Sequence, residues 1–206
     1  FIDLLGLMSW SHPRFEADDL IGTLVRIGRE EGRASTILSR DKDLAQLIGK
    51  DDIFWDYSGR GKIRHAEIES VFGVRPDQVA DYLALAGDSV DNISGAPGVG
   101  KKTAIALLRH FKDLQEIYKN LDKIHEVKVR GARTLGAKLK EHYDKVILSR
   151  KLTGIDCYAD VSEKKYDLIA KMPNIEGINK LYDDLSIGTA LRRQAERIKD
   201  LRITVI

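Results

Sequence analysis

The chain has only one cysteine, Cys157, among its 206 residues. That count excludes an internal disulfide and any zinc site built on cysteines, and a lone thiol fits a reducing compartment, so a cytoplasmic location is expected. No apolar run approaches the length of a bilayer crossing, and no signal-peptide pattern opens the sequence, so no membrane association is expected. Internal repeats and low-complexity stretches are lacking as well. Neither charge sign dominates, the formal net charge being +2. With 43% hydrophobic and 32% charged residues, the composition is that of a soluble globular protein large enough for one sizeable core or two small ones. An initial methionine is also missing. The opening Phe1-Ile2-Asp3-Leu4-Leu5 reads as the inside of an element, which predicts an N-terminally incomplete chain.

What is present is unevenly spread. Residues 101–151 hold 14 Lys and Arg against 6 Asp and Glu, a net of +8. The remainder holds 20 against 26, a net of −6. A basic segment beside acidic clusters suits a polyanion held near metal ions, although a solvated helical surface gives the same asymmetry.

Seven carboxylates fall in three tight groups: Glu16, Asp18 and Asp19 in FEADDLIG, Asp41 and Asp43 in SRDKDL, and Asp88 and Asp91 in GDSVDN. Gathered acids repel one another unless a cation joins them, and hard oxygen ligands suit Mg²⁺ or Mn²⁺. Each group also has a plain local explanation. Acids favour the first turn of a helix, aspartate caps a helix start, and aspartates populate turns. The three together, each at the border of a regular element, point to a divalent-metal site for phosphoryl chemistry.

The spacing predicts a helix over Ala17–Arg29, a buried parallel strand over Ala34–Leu38, a helix over Asp43–Ile48 and a strand over Ile53–Trp55. That order implies an α/β layer, with a site off the carboxyl end of the first strand. Helices are then expected over Ala66–Phe72, Pro76–Ala86, Lys102–Phe111, Leu114–Leu121 and Thr134–Leu148. Ile155–Val161 reads as a strand or an extended strap, and Ala190–Asp200 as a charged helix.

The segment from Ser94 to Thr103, SGAPGVGKKT, nearly matches a nucleotide-binding phosphate loop, but Lys102 replaces the hydroxyl residue that would ligate Mg²⁺. A helix and turn precede it where that motif needs a strand, so no nucleotide cofactor is expected. A helix–hairpin–helix explains it better. Gly98 and Gly100 let backbone N–H groups approach a phosphate, the next helix N-terminus adds partial positive charge, and Lys101, Lys102 and Thr103 supply side chains. Such a device holds a DNA backbone without reading bases. The alternative is a tight turn that only packs helices.

The order EADD, then S-x-DKDL, then GD-x-x-DNI-x-G-x-PG-x-GKKTA, then RGA-x-TL-x-AKL resembles the bacterial and phage 5′–3′ exonuclease/flap endonuclease family. It is similar both to the N-terminal nuclease domain of DNA polymerase I and to its stand-alone relatives. The resemblance runs from about Phe15 to about Asp160. It implies an α/β fold: a Rossmann-like (PIN/5′-nuclease) core with a mostly helical C-terminal part containing a helix–hairpin–helix (H3TH). Residues 1–206 would then be a single nuclease domain, with 1–65 a remnant of the catalytic core and 66–206 a helical DNA-binding part. The helix–hairpin–helix would lie at about residues 78–112.

Glu16, Asp18, Asp19, Asp41, Asp43, Asp88 and Asp91 fall on the family's ligands for two divalent ions. The hairpin Asn92–Thr103 would grip duplex DNA, often with K⁺ on its carbonyls. Lys102 matches a basic hairpin position, and Arg130 and Arg133 are expected as further phosphate contacts. Two departures stand out. Ser94 replaces a common proline. The family's first strands, each with an aspartate, and its basic helical arch do not precede Phe15. The expected activity is metal-dependent hydrolysis of DNA at 5′ flaps, 5′ ends or junctions, in replication and repair, by a monomer. The alternative is a catalytically impaired module that binds flap or duplex DNA.

Overall fold

The computed structural model describes residues 1–161 and 170–200. They divide into two compact units, Ile21–Ala159 and a unit made of Phe1–Leu20 with Asp160–Ile206. The elements in chain order are α1 (Ala17–Glu30), β1 (Thr36–Leu38), β2 (Ile53–Asp56), β3 (Gly61–Arg64), α2 (His65–Phe72), α3 (Val79–Ala86), α4 (Lys101–Phe111), α5 (Leu114–Lys119), α6 (Ala132–Glu141), α7 (Tyr143–Thr153), α8 (Ile175–Asp184) and α9 (Thr189–Asp200). Among the described residues no helix is long and apolar enough to cross a membrane.

In the larger unit, β1 pairs with β2 in parallel, with Ile37 opposite Phe54. β3 returns antiparallel to β2, with Ile63 also opposite Phe54. These three side chains alternate with exposed neighbours and form the buried face of the sheet. Asp52 fixes the start of β2. Its buried carboxylate accepts from Ser35 N–H at 2.7 Å, Gly49 N–H at 2.8 Å and the Arg29 guanidinium at 2.5 Å. Burial pushes its pKa up, but these donors outweigh burial and hold it below the ordinary aspartate value. The end of α1 and the starts of both parallel strands thus share one anchor.

The expected helix over Asp43–Ile48 is instead a 3-10 turn, Lys42–Leu47, which Asp41 caps through the N–H of Asp43. Six residues that must bury Leu44, Ala45 and Leu47 do so by tightening. β3 was not expected. The Ser58-Gly59-Arg60-Gly61 stretch is a hairpin turn, because Gly61 takes φ +76° and the chain resumes alternation at Ile63. Pro76–Gln78 forms a 3-10 turn before α3. α5 stops at Lys119, and a separate 3-10 turn spans Leu121–Glu126.

The single helix expected over Thr134–Leu148 breaks at His142, because its halves have different partners. α6 lies on the Leu121–Glu126 turn, where Gly136 leaves no room for a Cβ, which would sit 2.4 Å from the Leu121 oxygen. α7 lies on α3, where Thr153 Oγ1 donates to the Ala80 oxygen at 2.9 Å. Ile155–Val161 forms no strand. Its first part is a strap on α1: Arg26 Nε donates to the Cys157 oxygen at 2.8 Å, and Ala159 N–H donates to Thr23 Oγ1 at 3.0 Å.

In the smaller unit, α8 buries Ile178 and Tyr182 against Leu4 and Leu5. This helix is an addition to the expected elements: Ile175, Ile178 and Tyr182 have helical spacing, and Asn174 caps the N-terminus. α9 bears out the expected charged helix. The sequence past Asp200, part of the expected charged ending, lies outside the described residues.

α3 is tied to α7 and α5 through Asp81, a buried residue whose carboxylate pairs with Arg150 Nε at 2.5 Å and accepts from Leu114 N–H at 2.8 Å. Removing one partner strands a buried charge. Asp81→Ala is expected to cost about 3 kcal/mol, read from urea unfolding of the variant against the parent.

Candidate functional site

The strand β1 ends at Leu38, and the chain turns at once into the capped segment carrying Asp41 and Asp43. Gln46 holds this segment in place, since its amide donates to the oxygens of Asp43 and Thr153, each at 3.0 Å, and accepts from Ile155 N–H. α3 ends at Gly87, where the chain enters a second acidic loop. A two-bond bridge closes that loop, Asp88 N–H to Ile93 oxygen at 2.9 Å and Ile93 N–H to Asp88 oxygen at 2.7 Å. Inside it, Asp88 Oδ1 accepts from Val90 N–H at 3.0 Å, and Asn92 takes φ +56°, a left-handed conformation that asparagine tolerates.

The two loops bring Asp43, Asp88 and Asp91 together. Their carboxylate oxygens lie within 4.8 Å of one another, close enough for one cation to touch all three. The Asp88 residue is 4% exposed and the Asp43 side chain 13%. Asp43 Oδ1 is buried and receives no hydrogen bond. Burial, followed by the charges of Asp41, Asp88 and Asp91, pushes the Asp43 pKa up to about 6, against the partial opposition of Lys42. Asp88 goes the other way. Burial raises its pKa, but the hydrogen bond from the Lys42 ammonium and the Val90 N–H outweigh that and leave it below the ordinary value. A buried carboxylate oxygen without a donor, among acids of hard-oxygen type, fits a divalent cation.

The other expected ligands are placed differently. Asp41 is exposed, and its Oδ1 accepts from Asp43 N–H at 3.0 Å, so it caps the turn. In the smaller unit, Glu16 is exposed just before α1, and Asp18 and Asp19 are half-buried in its first turn. Asp19 Oδ2 accepts from Glu16 N–H at 3.2 Å, the cap that acids at a helix start provide.

The hairpin follows the acidic loop directly. Gly87 and Gly95 cross so closely that a Cβ on Gly95 would lie 2.3 Å from the Gly87 nitrogen. Ala96 N–H then donates to the Leu85 oxygen at 2.8 Å, and Val99 N–H closes a turn onto the Ala96 oxygen at 2.9 Å. Pro97 and Gly98, with φ +82°, occupy the central positions that a type II turn assigns to them. Gly98 and Gly100 are exposed, as are Lys101 and Lys102, and Thr103 is half-buried at the open N-terminus of α4. Arg130 and Arg133 are both exposed, beside and within the first turn of α6.

Two features escaped the sequence reading. Lys42, which looks like a spacer between Asp41 and Asp43, hydrogen-bonds Asp88 Oδ2. A cavity of about 730 Å³ also opens beside Asp43 and Asp88, with Phe54, Phe72 and Tyr82 on its walls and Arg40, Arg60 and Lys101 among its polar lining. A lysine flanked by acids was the available signal for the first. The second depends on packing between β2, α2 and α3 that no local pattern encodes.

An α/β layer with carboxylates gathered beyond its first strand is thus followed by two helices joined through a glycine hairpin. The chain belongs to the 5′-3′ exonuclease family: residues 1–73 match its N-terminal resolvase-like domain and residues 74–176 its C-terminal SAM fold. It is 34% identical over 167 residues to a 5′-3′ exonuclease of Buchnera aphidicola subsp. Acyrthosiphon pisum, covering 81% of this chain and 58% of that protein. It is 38% identical over 182 residues to DNA polymerase I of Pseudomonas aeruginosa, covering 88% of this chain and 20% of that protein. The chain therefore spans somewhat over half of one relative and a fifth of the other.

Two solved structures share the fold. T5 5′-exonuclease with bound zinc has a TM-score of 0.61 at 18% identity, covering 93% of this chain and 61% of that one. The catalytic core of Rad2 in complex with DNA substrate has a TM-score of 0.60 at 14% identity, covering 97% and 66%.

The raised pKa of Asp43 has a measurable consequence. Its folded-state pKa lies above the ordinary 3.8, so a proton binds the folded chain more tightly than the unfolded one. That stabilisation is present at low pH and is lost as pH rises through about 6. A divalent cation can replace the proton above that pH. Mn²⁺ is expected to raise Tm clearly at about pH 7.5 and hardly at about pH 5. Asp43→Asn should remove the Mn²⁺ effect while stabilising the metal-free protein at the higher pH by about 2 kcal/mol. Thermal unfolding with and without Mn²⁺ reads both.

Proposed function

We propose that this chain supplies the metal-holding acids and the duplex grip of a divalent-metal-dependent DNA nuclease that acts as a 5′–3′ exonuclease and flap endonuclease. The observation that carries the reading is the donorless, buried Asp43 Oδ1 beside Asp88 and Asp91, on the same stretch of backbone as the bare glycine hairpin. The relatives' names and the zinc and DNA of the two neighbouring structures support it.

Asp43, Asp88 and Asp91 would hold Mg²⁺ or Mn²⁺, the hard cations suited to oxygen donors. The assignment of Glu16, Asp18, Asp19 and Asp41 as further ligands, and hence of a second ion, rests on the sequence motif. Bound ions would lower the pKa of a water and stabilise the leaving oxygen of the phosphodiester. The chain's own residues do the placing. Gly98 and Gly100 leave room for a phosphate against the backbone, and the free N–H groups at the start of α4 point partial positive charge at it. Lys101, Lys102 and Thr103 add side-chain contacts, Arg130 and Arg133 extend them, and hairpin carbonyls offer a K⁺ site.

None of these groups reads a base edge, so selection rests on the shape of 5′ ends, flaps and junctions. Residues 66–206 form the DNA-holding part of this reading, a monomer of the cytoplasm engaged in replication and repair. Because the chain spans only part of its relatives, a DNA-holding module without cleavage is the second reading.

In the full-length protein, Asp88→Asn is expected to reduce Mg²⁺-dependent cleavage of a 5′-flap duplex about a hundredfold or more, the scale of losing one preorganised polar group. Flap binding in EDTA should persist. Undiminished cleavage refutes the metal assignment, and binding without cleavage in the parent supports the module. Lys102→Ala is expected to weaken binding of unrelated sequences alike and to lower the salt slope of binding by about 1, measured by fluorescence anisotropy across a salt series.

A further inference from the structure

Asp43, Asp88 and Asp91 each offer a carboxylate oxygen within 4.8 Å of the others, and acids so close repel unless a positive group joins them. Asp88 meets this with an ammonium group. Lys42 is the first residue of the capped 3-10 turn, and its Nζ reaches across to hydrogen-bond Asp88 Oδ2. The same Nζ stands 3.9 Å from Asp43 Oδ1, the oxygen without a donor. It therefore stands between two of the three acids, bonded to Asp88 and facing Asp43. The two ends of this contact differ in their freedom. Asp88 is 4% exposed and is fixed by the Asp88–Ile93 bridge, whereas the Lys42 side chain is 46% exposed and opens onto the cavity. Asp88 cannot leave, and Lys42 can.

We infer that the Lys42 ammonium is a built-in stand-in for the divalent cation, and that metal binding is an exchange in which the ion replaces this ammonium on Asp88. The inference rests on the reading of Asp43, Asp88 and Asp91 as a metal site and adds to it the residue that sets the site's affinity. A tethered cation lowers that affinity twice: its bond to Asp88 must break, and its charge repels the incoming ion at short range. While bonded to Asp88, the ammonium also offsets the repulsion among the acids, so they do not force their loops apart. Once released, the ammonium lies at the rim of a cavity already lined by Arg40, Arg60 and Lys101.

The test uses Lys42→Met, which keeps the stem and removes the charge, and Lys42→Arg, which keeps the charge. Lys42→Gln replaces the first should it fail to fold. Mn²⁺ affinity is measured by calorimetry at about pH 7.5. Lys42→Met is expected to bind Mn²⁺ about tenfold more tightly than the parent, and Lys42→Arg within about twofold of it. Metal-free Lys42→Met should melt below the parent, and saturating Mn²⁺ should close that gap.

An unchanged or weakened Mn²⁺ affinity in Lys42→Met overturns the inference. A Tm deficit that persists at saturation also overturns it, because that result marks a structural tether. The underlying reading fails separately, and takes the inference with it, if the parent shows no Mn²⁺ binding that Asp88→Asn abolishes.

Discussion

Gly87 and Gly95 cross at a separation that admits no side chain on either, and both halves of the site hang from that crossing. The acidic loop Asp88–Ile93 is the excursion between them, and beyond Gly95 the Ala96–Val99 turn leads into α4. A single close approach of backbone therefore sets the distance from the clustered carboxylates to the phosphate-ready hairpin. Side chains could not do this as firmly. Rotamers relax, whereas two backbone segments in contact and pinned by the Ala96-to-Leu85 hydrogen bond have nowhere to go.

Around this crossing the protein balances charge with few spare parts. Among the described residues, the buried aspartates Asp52, Asp81 and Asp88 sit in three settings with three solutions. Asp52 receives three donors and stays a structural anchor. Asp81 takes a guanidinium and a helix-end N–H. The Asp43–Asp88–Asp91 trio receives too little, with one oxygen left bare and one lysine shared. The contrast is informative because all three lie in the same unit, built by the same packing. Asp52 and Asp81 are supplied with donors, and among the described residues the buried carboxylate oxygen left without one is Asp43 Oδ1.

Much of this was legible in the residues. α1, the parallel pair β1–β2, and α3 with α4 around the glycine hairpin emerge from periodicity, β-branching and turn chemistry. The acidic groups drew attention through spacing, but spacing could not separate their roles. Asp41 and Asp43 are equally plausible as caps by type, and only the turn geometry gives the cap to Asp41 and leaves Asp43 Oδ1 bare. The break between α6 and α7 was illegible because it answers to two different partners and not to a helix breaker at His142. β3 was hidden because a Ser-Gly-Arg-Gly run signals an end and a reversal equally well. Lys42 was missed because its partner lies 46 residues ahead.

The strap from Ile155 to Ala159 bears on how the molecule is made. Its bonds to α1 join residues separated by 131 and 136 positions, the longest reach among the described hydrogen bonds of this unit. α1 leaves the ribosome before every other element of the unit, and the segment that seals its outer face is the last of the unit. During synthesis the buried Gly22 surface, against which Ile155 and Cys157 later pack, waits uncovered while the hairpin and every helix up to α7 emerge. The order of translation thus leaves the first helix of the unit as the last to be fastened.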